Sequence, residues 1–220
     1  MMTSGPLFLS FQIAVQATVL ALLVGLPLAW VLARKKFPGR DLCTVLVLLP
    51  MVLPPTVLGY YLLVVIGREG VVGRAAATLG VDRLVFTPAA AVLAAFVASV
   101  PFLVLAARAG FEQVDQVYEE AARTLGRSEW AIAFTVTLPL AWRGIVAGTA
   151  LTFARAVGEF GATVMVAGSI PGSTRTASIA IYDAVQAGRM DDANGMALLL
   201  TLTTTVVLLL ITRLGRGAGW

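Results

Sequence analysis

The chain has 220 residues, of which 59% are hydrophobic and only 13% are charged, and its formal net charge is +4. A soluble domain carries roughly a quarter charged residues, so this composition excludes an ordinary soluble protein and indicates an all-α integral membrane protein. The absence of histidine argues against a metal site, and the lone Cys43 excludes an intrachain disulfide. The basic residues cluster at span ends, which explains the net charge without a nucleic-acid partner.

Apolar stretches of about 20 residues predict five transmembrane helices. Their approximate bounds are 7–32, 44–66, 86–107, 140–160 and 193–211. The first stretch is too long for the apolar core of a signal peptide, and no basic residue precedes it, so we interpret it as a span. Together the five stretches predict a single transmembrane domain over residues 1–220.

The distribution of basic residues predicts the orientation of these spans. One side of the membrane receives ten basic residues and the other receives five, with Arg155 inside a span. The ten are Arg34, Lys35, Lys36, Arg40, Arg108, Arg123, Arg127, Arg143, Arg213 and Arg216. Since the richer side faces the cytoplasm, we expect the N-terminus outside, the C-terminus inside and the loop of residues 112–139 in the cytoplasm.

The second span contains three prolines, Pro50, Pro54 and Pro55, which remove three backbone donors and kink or break the helix. Freed carbonyls at membrane depth are tolerated only against protein or a water-filled cavity. A simple kink is one interpretation. The position of Pro54 and Pro55 near the middle of the span favours a break that lines a pathway.

The cytoplasmic loop has the pattern of two helices joined by a glycine turn. Apolar residues from Val114 to Leu125 recur every three or four positions and form one stripe, with charged residues opposite. Gly126 can adopt the left-handed conformation that ends a helix, and Ser128 can cap the next one. This hairpin either lies on the membrane surface or offers its face to another protein. The small Ala121 and Ala122 favour a protein contact.

This loop resembles the EAA loop of the permease subunits of binding-protein-dependent ABC importers. The match consists of Glu120-Ala121-Ala122, Gly126, Val136 where the family usually has isoleucine, and Leu138-Pro139. The resemblance implies the MetI-like fold of type-1 ABC permeases, with the loop as a coupling helix seated in an ATPase subunit. The residues it assigns to ATPase coupling are Glu119, Glu120, Ala121, Ala122, Gly126, Leu138 and Pro139.

Apart from Arg143, which is counted at its cytoplasmic end, the fourth span contains two charged residues, Arg155 and Glu159, four positions apart. Charges at this depth are costly, so we expect them to face the bundle interior as a pair. The pair either only fixes packing or forms the outer gate of an anion pathway. In the second interpretation Arg155 supplies positive potential, and Gly158 and Gly161 permit the close helix approach that a gating dimer interface requires. The predicted pathway residues are therefore Pro54, Pro55, Arg155, Gly158 and Glu159.

Two further segments are similar to the molybdate permease family in particular. They are residues 53–61, and residues 154–163 followed by 170–176; sulfate and tungstate permeases share much of the second. The resemblance implies an anion importer in a bacterial or archaeal cytoplasmic membrane. Its partners would be a second copy of the chain, an ATPase dimer that binds ATP and magnesium, and an external oxyanion-binding protein. The chain lacks a phosphate-binding loop, so we expect no cofactor and no enzyme activity in it alone.

Two other classes of protein compete with this interpretation. A stand-alone secondary transporter would show an internal repeat and an embedded carboxylate for ion coupling, for which Glu159 is the one candidate. A membrane enzyme would need a clustered polar site, whereas Arg155 and Glu159 are the only charged side chains in the predicted spans apart from Arg143 at a cytoplasmic end. Association with an ATPase distinguishes the importer from both.

Overall fold

The computed structural model describes residues 5–81 and 83–217, and within these ranges all regular secondary structure is helical. The α-helices are α1 Pro6–Arg34, α2 Arg40–Val52, α3 Pro55–Ile66, α4 Val71–Thr78, α5 Pro88–Glu112, α6 Gln116–Thr124, α7 Glu129–Ile132, α8 Leu138–Leu140, α9 Trp142–Val157, α10 Gly161–Ala167, α11 Ala177–Gln186 and α12 Met190–Gly217. A π-helical turn, Ala133–Thr137, joins α7 to α8.

Four stretches of the described chain are long and apolar enough to cross a membrane: Pro6–Arg34, Pro55–Thr78, Pro88–Glu112 and Met190–Arg213. A fifth results if Glu129–Leu140 and Trp142–Val157, which meet at 73°, are taken as one bent span. The predicted count of five is therefore reached only with the bent pair.

The second predicted span is broken rather than continuous. Its two halves are α2 and α3, and Leu53 and Pro54 between them have extended backbone. Pro54 and Pro55 cause this break, because neither can donate a backbone hydrogen bond. The helix predicted over 44–66 thus begins earlier, at Arg40, and is interrupted where the sequence places the proline pair.

The fourth predicted span is shorter than residues 140–160. Its helix α9 begins at Trp142, after the bend, and ends at Val157 with Gly158 as its C-cap. Pro139 lies in α8, before the bend, and does not start the span. Glu159 and Phe160 connect α9 to the short helix α10. The chain thus has a second helix break, and the residues predicted to line the pathway lie at or next to these two breaks.

The centre of the bundle consists of α1, α5 and α9, which pack along much of their lengths. Their contacts are rich in alanine, and Ala14 and Ala17 of α1 and Ala91 and Ala94 of α5 are fully buried. Small side chains let helices approach closely, which drives association when lipid rather than water surrounds them. By contrast, α2 buries no residue, and neither does the most apolar stretch of α12.

The buried apolar residues form two clusters along the bundle. One contains the N-terminal halves of α1 and α5 with the end of α9, α3 and α10. The other contains the C-terminal halves of α1 and α5, the start of α9 and Val114. The loop of residues 112–139 therefore lies at the end of the bundle formed by the second cluster.

Candidate functional site

The loop between α5 and α9 folds as a helix, a glycine turn and a second helix, as predicted. Asp115 begins α6, since its Oδ1 accepts a hydrogen bond from the Val117 N–H at 3.0 Å. Gly126 has φ +74°, and the N–H groups of Gly126 and Arg127 donate to the carbonyls of Arg123 and Ala122 at 2.9 and 3.2 Å. This is a Schellman ending, for which the left-handed residue is normally glycine. Ser128 then caps α7 through the Ala131 N–H at 3.3 Å.

The apolar side of α6 points away from the protein. Val117, Tyr118, Ala121 and Leu125 are exposed, Leu125 to 82%. Trp130, 77% exposed, and Phe134 stack on each other in the second half of the loop, with ring centroids 6.4 Å apart. We call these six residues the exposed loop face. The predicted stripe is incomplete at its edges, because Val114 is buried before α6 begins and Ala122 is half-buried against the bundle.

The side of α6 that faces the bundle carries a charged residue instead. Glu119, expected on the solvent side, is only 6% exposed. Its Oε1 lies 2.9 Å from Nη2 of Arg34 at the end of α1 and accepts a hydrogen bond from the Thr137 hydroxyl at 2.8 Å. Arg34 also donates to the Val114 carbonyl at 2.9 Å. The other carboxylate oxygen of Glu119, Oε2, lies 3.8 Å from Nη2 of Arg123, four positions later.

Arg123 pairs mainly with Glu129 across the glycine turn. Two hydrogen bonds of 2.6 and 3.1 Å join its guanidinium to the two carboxylate oxygens, so the pairing is bidentate. The hydrogen bond from Arg123 lowers the pKa of Glu129, and the same bond raises the pKa of Arg123. The pair connects α6 to α7 on the solvent side, where water screens it.

The remaining predicted coupling residues lie at the surface or at the end of the loop. Glu120 is exposed and carries no ion pair among the described residues, and Pro139 is also exposed. Leu138 is half-buried against the second apolar cluster. It precedes the 73° bend, so the loop joins α9 through a rigid, proline-containing turn.

The predicted break at Pro54 and Pro55 lies against the second break, between α9 and α10, which the sequence did not predict. A methyl group placed on Gly161, the first residue of α10, would lie 2.6 Å from Cβ of Pro55, the first residue of α3. One placed on Gly59 would lie 2.7 Å from Cβ of Met165. Since both distances are shorter than any relaxed contact, α3 and α10 pack at backbone distance only because these residues are glycines.

Arg155 and Glu159 form the expected ion pair, with Nη1 and Oε2 2.6 Å apart. The approach angle of these atoms is not that of a hydrogen bond. The Glu159 side chain is 1% exposed and the Arg155 side chain 30%. The other carboxylate oxygen of Glu159 accepts the Ala162 N–H at 2.8 Å, which ties it to the first turn of α10. The carboxylate is thus fixed at the break, and the guanidinium is partly open.

Two other predicted pathway residues make fewer contacts within the chain. Pro54 is exposed at the start of α3. Gly158 is exposed as well, and a methyl group on it would meet no atom closer than the Ala154 carbonyl at 3.6 Å. Within the chain, the close approach is made at Gly161, and Gly158 stays exposed.

A second polar site, not predicted from the sequence, lies at the bundle end opposite the loop. Ser169 donates to Asp183 at 2.7 Å and accepts from Arg175 at 3.0 Å, which joins the segment after α10 to α11. A cavity of about 290 Å³ lies beside it, lined by Pro6, Arg175, Ala180, Asp183, Arg189, Asp192 and Met196. Ser169 and Asp183 lie 14 positions apart, so no local pattern predicts their pairing.

An all-helical bundle with a charged loop hairpin and two facing helix breaks agrees with the family that the sequence matches. The family model of the binding-protein-dependent transport system inner membrane component covers residues 7–217. The chain therefore belongs to this family of membrane transport subunits.

The chain is also similar to proteins named molybdenum transport system permease protein ModB. The protein of Escherichia coli strain K12 is 41% identical over 204 residues, which cover 93% of this chain and 89% of that protein. The protein of Azotobacter vinelandii is 42% identical over 189 residues, which cover 86% of this chain and 84% of that protein. The protein of Mycobacterium tuberculosis is 42% identical over 205 residues, which cover 92% of this chain and 76% of that protein.

Solved structures share the fold at lower sequence identity. Inward-facing structures of the MetNI methionine ABC transporter superpose with a TM-score of 0.74 at 17% identity, covering 97% of this chain and 94% of the other. A bacterial ABC transporter for the import of alginate superposes with a TM-score of 0.72 at 17% identity, covering 97% of this chain and 80% of the other. The fold is therefore that of the MetI-like ABC permeases.

Proposed function

We propose that this chain is the permease subunit of an ABC importer that carries molybdate across the cytoplasmic membrane. Two copies form the pathway, a separate ATPase dimer binds ATP and magnesium, and an external binding protein delivers the anion. The N-terminus faces outside, and the loop and the C-terminus face the cytoplasm. The chain itself catalyses no reaction.

The similarity to the molybdenum transport permeases supports the choice of molybdate, since it extends over most of the chain at about 40% identity. Tungstate and sulfate permeases are the alternatives, because these anions share a tetrahedral shape and a double negative charge. The external binding protein selects among them before the permease is reached.

The single observation that carries the coupling role is the exposed loop face. A protein that buries Glu119 and exposes Leu125, Trp130 and Phe134 leaves apolar area that another surface must cover. Ala121 at the centre of this face lets a groove approach the backbone of α6. Charged residues surround the face, which fits a soluble ATPase better than the lipid interior.

The pathway role rests on Arg155. Its partly exposed guanidinium attracts an anion. Glu159 orients this guanidinium and, as a negative charge beside it, weakens the binding of the anion to Arg155. Pro54 and Pro55 of one break and Gly158 of the other bound the same region. The ATPase-driven movement of the loop opens and closes these breaks alternately to the two sides.

The coupling role is tested with Ala121→Glu, and Gln116→Glu is its control. Both place a carboxylate on an exposed position of α6, but Gln116 lies about 140° around the helix from Ala121. We expect the wild-type chain and Gln116→Glu to co-purify with the ATPase, and native mass spectrometry to give two copies of each subunit. Ala121→Glu should lose the ATPase.

Retention of the ATPase by Ala121→Glu would exclude the exposed loop face as its docking surface. Insertion of the face into lipid would appear instead as blue-shifted Trp130 fluorescence in vesicles without any ATPase.

The substrate is tested by ATP hydrolysis in vesicles with the loaded binding protein. Molybdate should stimulate it, and stimulation by sulfate alone would overturn the substrate.

A further inference from the structure

One buried polar cluster connects the loop to the membrane bundle. It contains Arg34 from the last turn of α1, Glu119 from α6 and Thr137 from the π-helical turn. The Arg34 and Glu119 side chains are each only 8% exposed. Arg34 also donates to the Val114 carbonyl, so it contacts the chain on both sides of the start of α6.

This cluster provides the main contact between α6 and the bundle. Among the residues of α6, Glu119 alone is buried, and Ala122 is half-buried. Apolar packing alone would let α6 slide along the bundle, because apolar contacts have no preferred direction. A buried ion pair with a charge-assisted hydrogen bond has a fixed geometry, so it sets position more than it adds stability.

We propose that Arg34, Glu119 and Thr137 are positioning residues that make α6 and α1 move as one body. A displacement applied to the exposed loop face then reaches α1 directly, and through α1 it reaches α5 and α9, on which α1 packs. This inference rests on the proposed function and assigns to Glu119 a role inside the permease rather than in contact with the ATPase.

The experiment measures molybdate import and ATP hydrolysis in the same vesicles, with the complete complex and its loaded binding protein. Glu119→Gln removes the charge but keeps the size of the side chain and one acceptor. We expect it to retain the ATPase and its hydrolysis, and to lower the molybdate imported per ATP roughly fivefold or more, the range of an allosteric coupling. Glu129→Gln makes the same change in the exposed pair with Arg123, and the ratio should stay at the wild-type value.

Arg34→Lys provides a second, milder test if Glu119→Gln does not accumulate in the membrane. Both contacts of Arg34, to Glu119 and to the Val114 carbonyl, are made by the single nitrogen Nη2. Lysine keeps the positive charge, but its side chain is shorter and its ammonium does not reach both partners at these distances. We expect Arg34→Lys to lower the same ratio. A wild-type ratio in either variant overturns the inference, as does loss of the ATPase from Glu119→Gln. A wild-type chain that binds no ATPase would instead reject the proposed function.

Discussion

Among the residues that the structure describes, two carboxylates, Glu119 and Glu159, are buried, and each is paired with an arginine at a junction between helices. Glu119 accepts from a threonine hydroxyl, and Glu159 accepts from a backbone N–H at the start of α10. Their arginines differ in exposure, since Arg34 is 8% exposed and Arg155 is 30% exposed. The Arg34–Glu119 pair is therefore buried on both sides, whereas the guanidinium of the Arg155–Glu159 pair is partly exposed.

At the residue scale, this asymmetry predicts that Arg155→Gln destabilises the protein more than Glu159→Gln. Arg155→Gln leaves a buried carboxylate without its counter-ion, which costs about 3 kcal/mol. Glu159→Gln leaves a partly exposed guanidinium, which water solvates at a cost of about 1 kcal/mol or less. Thermal unfolding midpoints in detergent measure the difference. Equal midpoints would contradict the difference in burial between the two side chains.

At the scale of the helices, the two breaks act as one structural unit. The proline pair ends α2 and starts α3, the Gly158 cap ends α9, and the resulting short helices α3 and α10 pack through Gly59 and Gly161. Two short helices that touch at backbone distance can tilt together without breaking further hydrogen bonds. This is the kind of movement that alternating access requires.

We predict that Gly161→Ala disrupts this contact, because its methyl group would overlap Cβ of Pro55. Overpacking of this kind costs about 1–3 kcal/mol and should lower the unfolding midpoint. Gly195→Ala in α12 is the matched control, since no atom lies within 4 Å of its new methyl group. The control should be neutral or slightly stabilising, because alanine favours helices. Equal effects of both variants would show that α3 and α10 do not approach closely.

At the scale of the whole molecule, one end of the bundle concentrates positive charge. Arg40 and Arg108 share the single carboxylate of Glu112 at 3.6 and 2.8 Å, and Arg34 lies at the same end. From the sequence, five basic residues are assigned to the other end against ten at this one, and two of the five, Arg175 and Arg189, are each paired with an aspartate. The end with more basic residues is the one expected to face the cytoplasm.

This orientation is tested in a chain in which the lone Cys43 is replaced by alanine and one new cysteine is introduced. Gln116→Cys lies in the loop and Gln186→Cys at the end of α11, and both positions are exposed. In intact cells, a membrane-impermeant maleimide should label Gln186→Cys but not Gln116→Cys. Permeabilised cells should label both. The reverse pattern would invert the proposed topology.

The sequence alone predicted the features that depend on local chemistry. The apolar stretches, the break at Pro54 and Pro55 and the Gly126 turn follow from lipid burial, missing N–H donors and a positive φ. The Arg155–Glu159 pair also followed from the sequence, because four residues place two side chains on one face of a helix. Each of these interactions joins residues that are close along the chain.

Only the tertiary structure decided which face of α6 is buried. Its amphipathic pattern predicted that the apolar stripe contacts another protein or the membrane surface, but it did not predict that Glu119 on the opposite face is buried. Glu119 faces inward because Arg34 from α1, 85 positions earlier, is placed to pair with it. The same holds for the packing of Gly161 against Pro55, which are distant along the chain. A sequence determines which residues need a partner, but a partner distant along the chain is fixed only when helices pack, since packing sets the direction in which each side chain points.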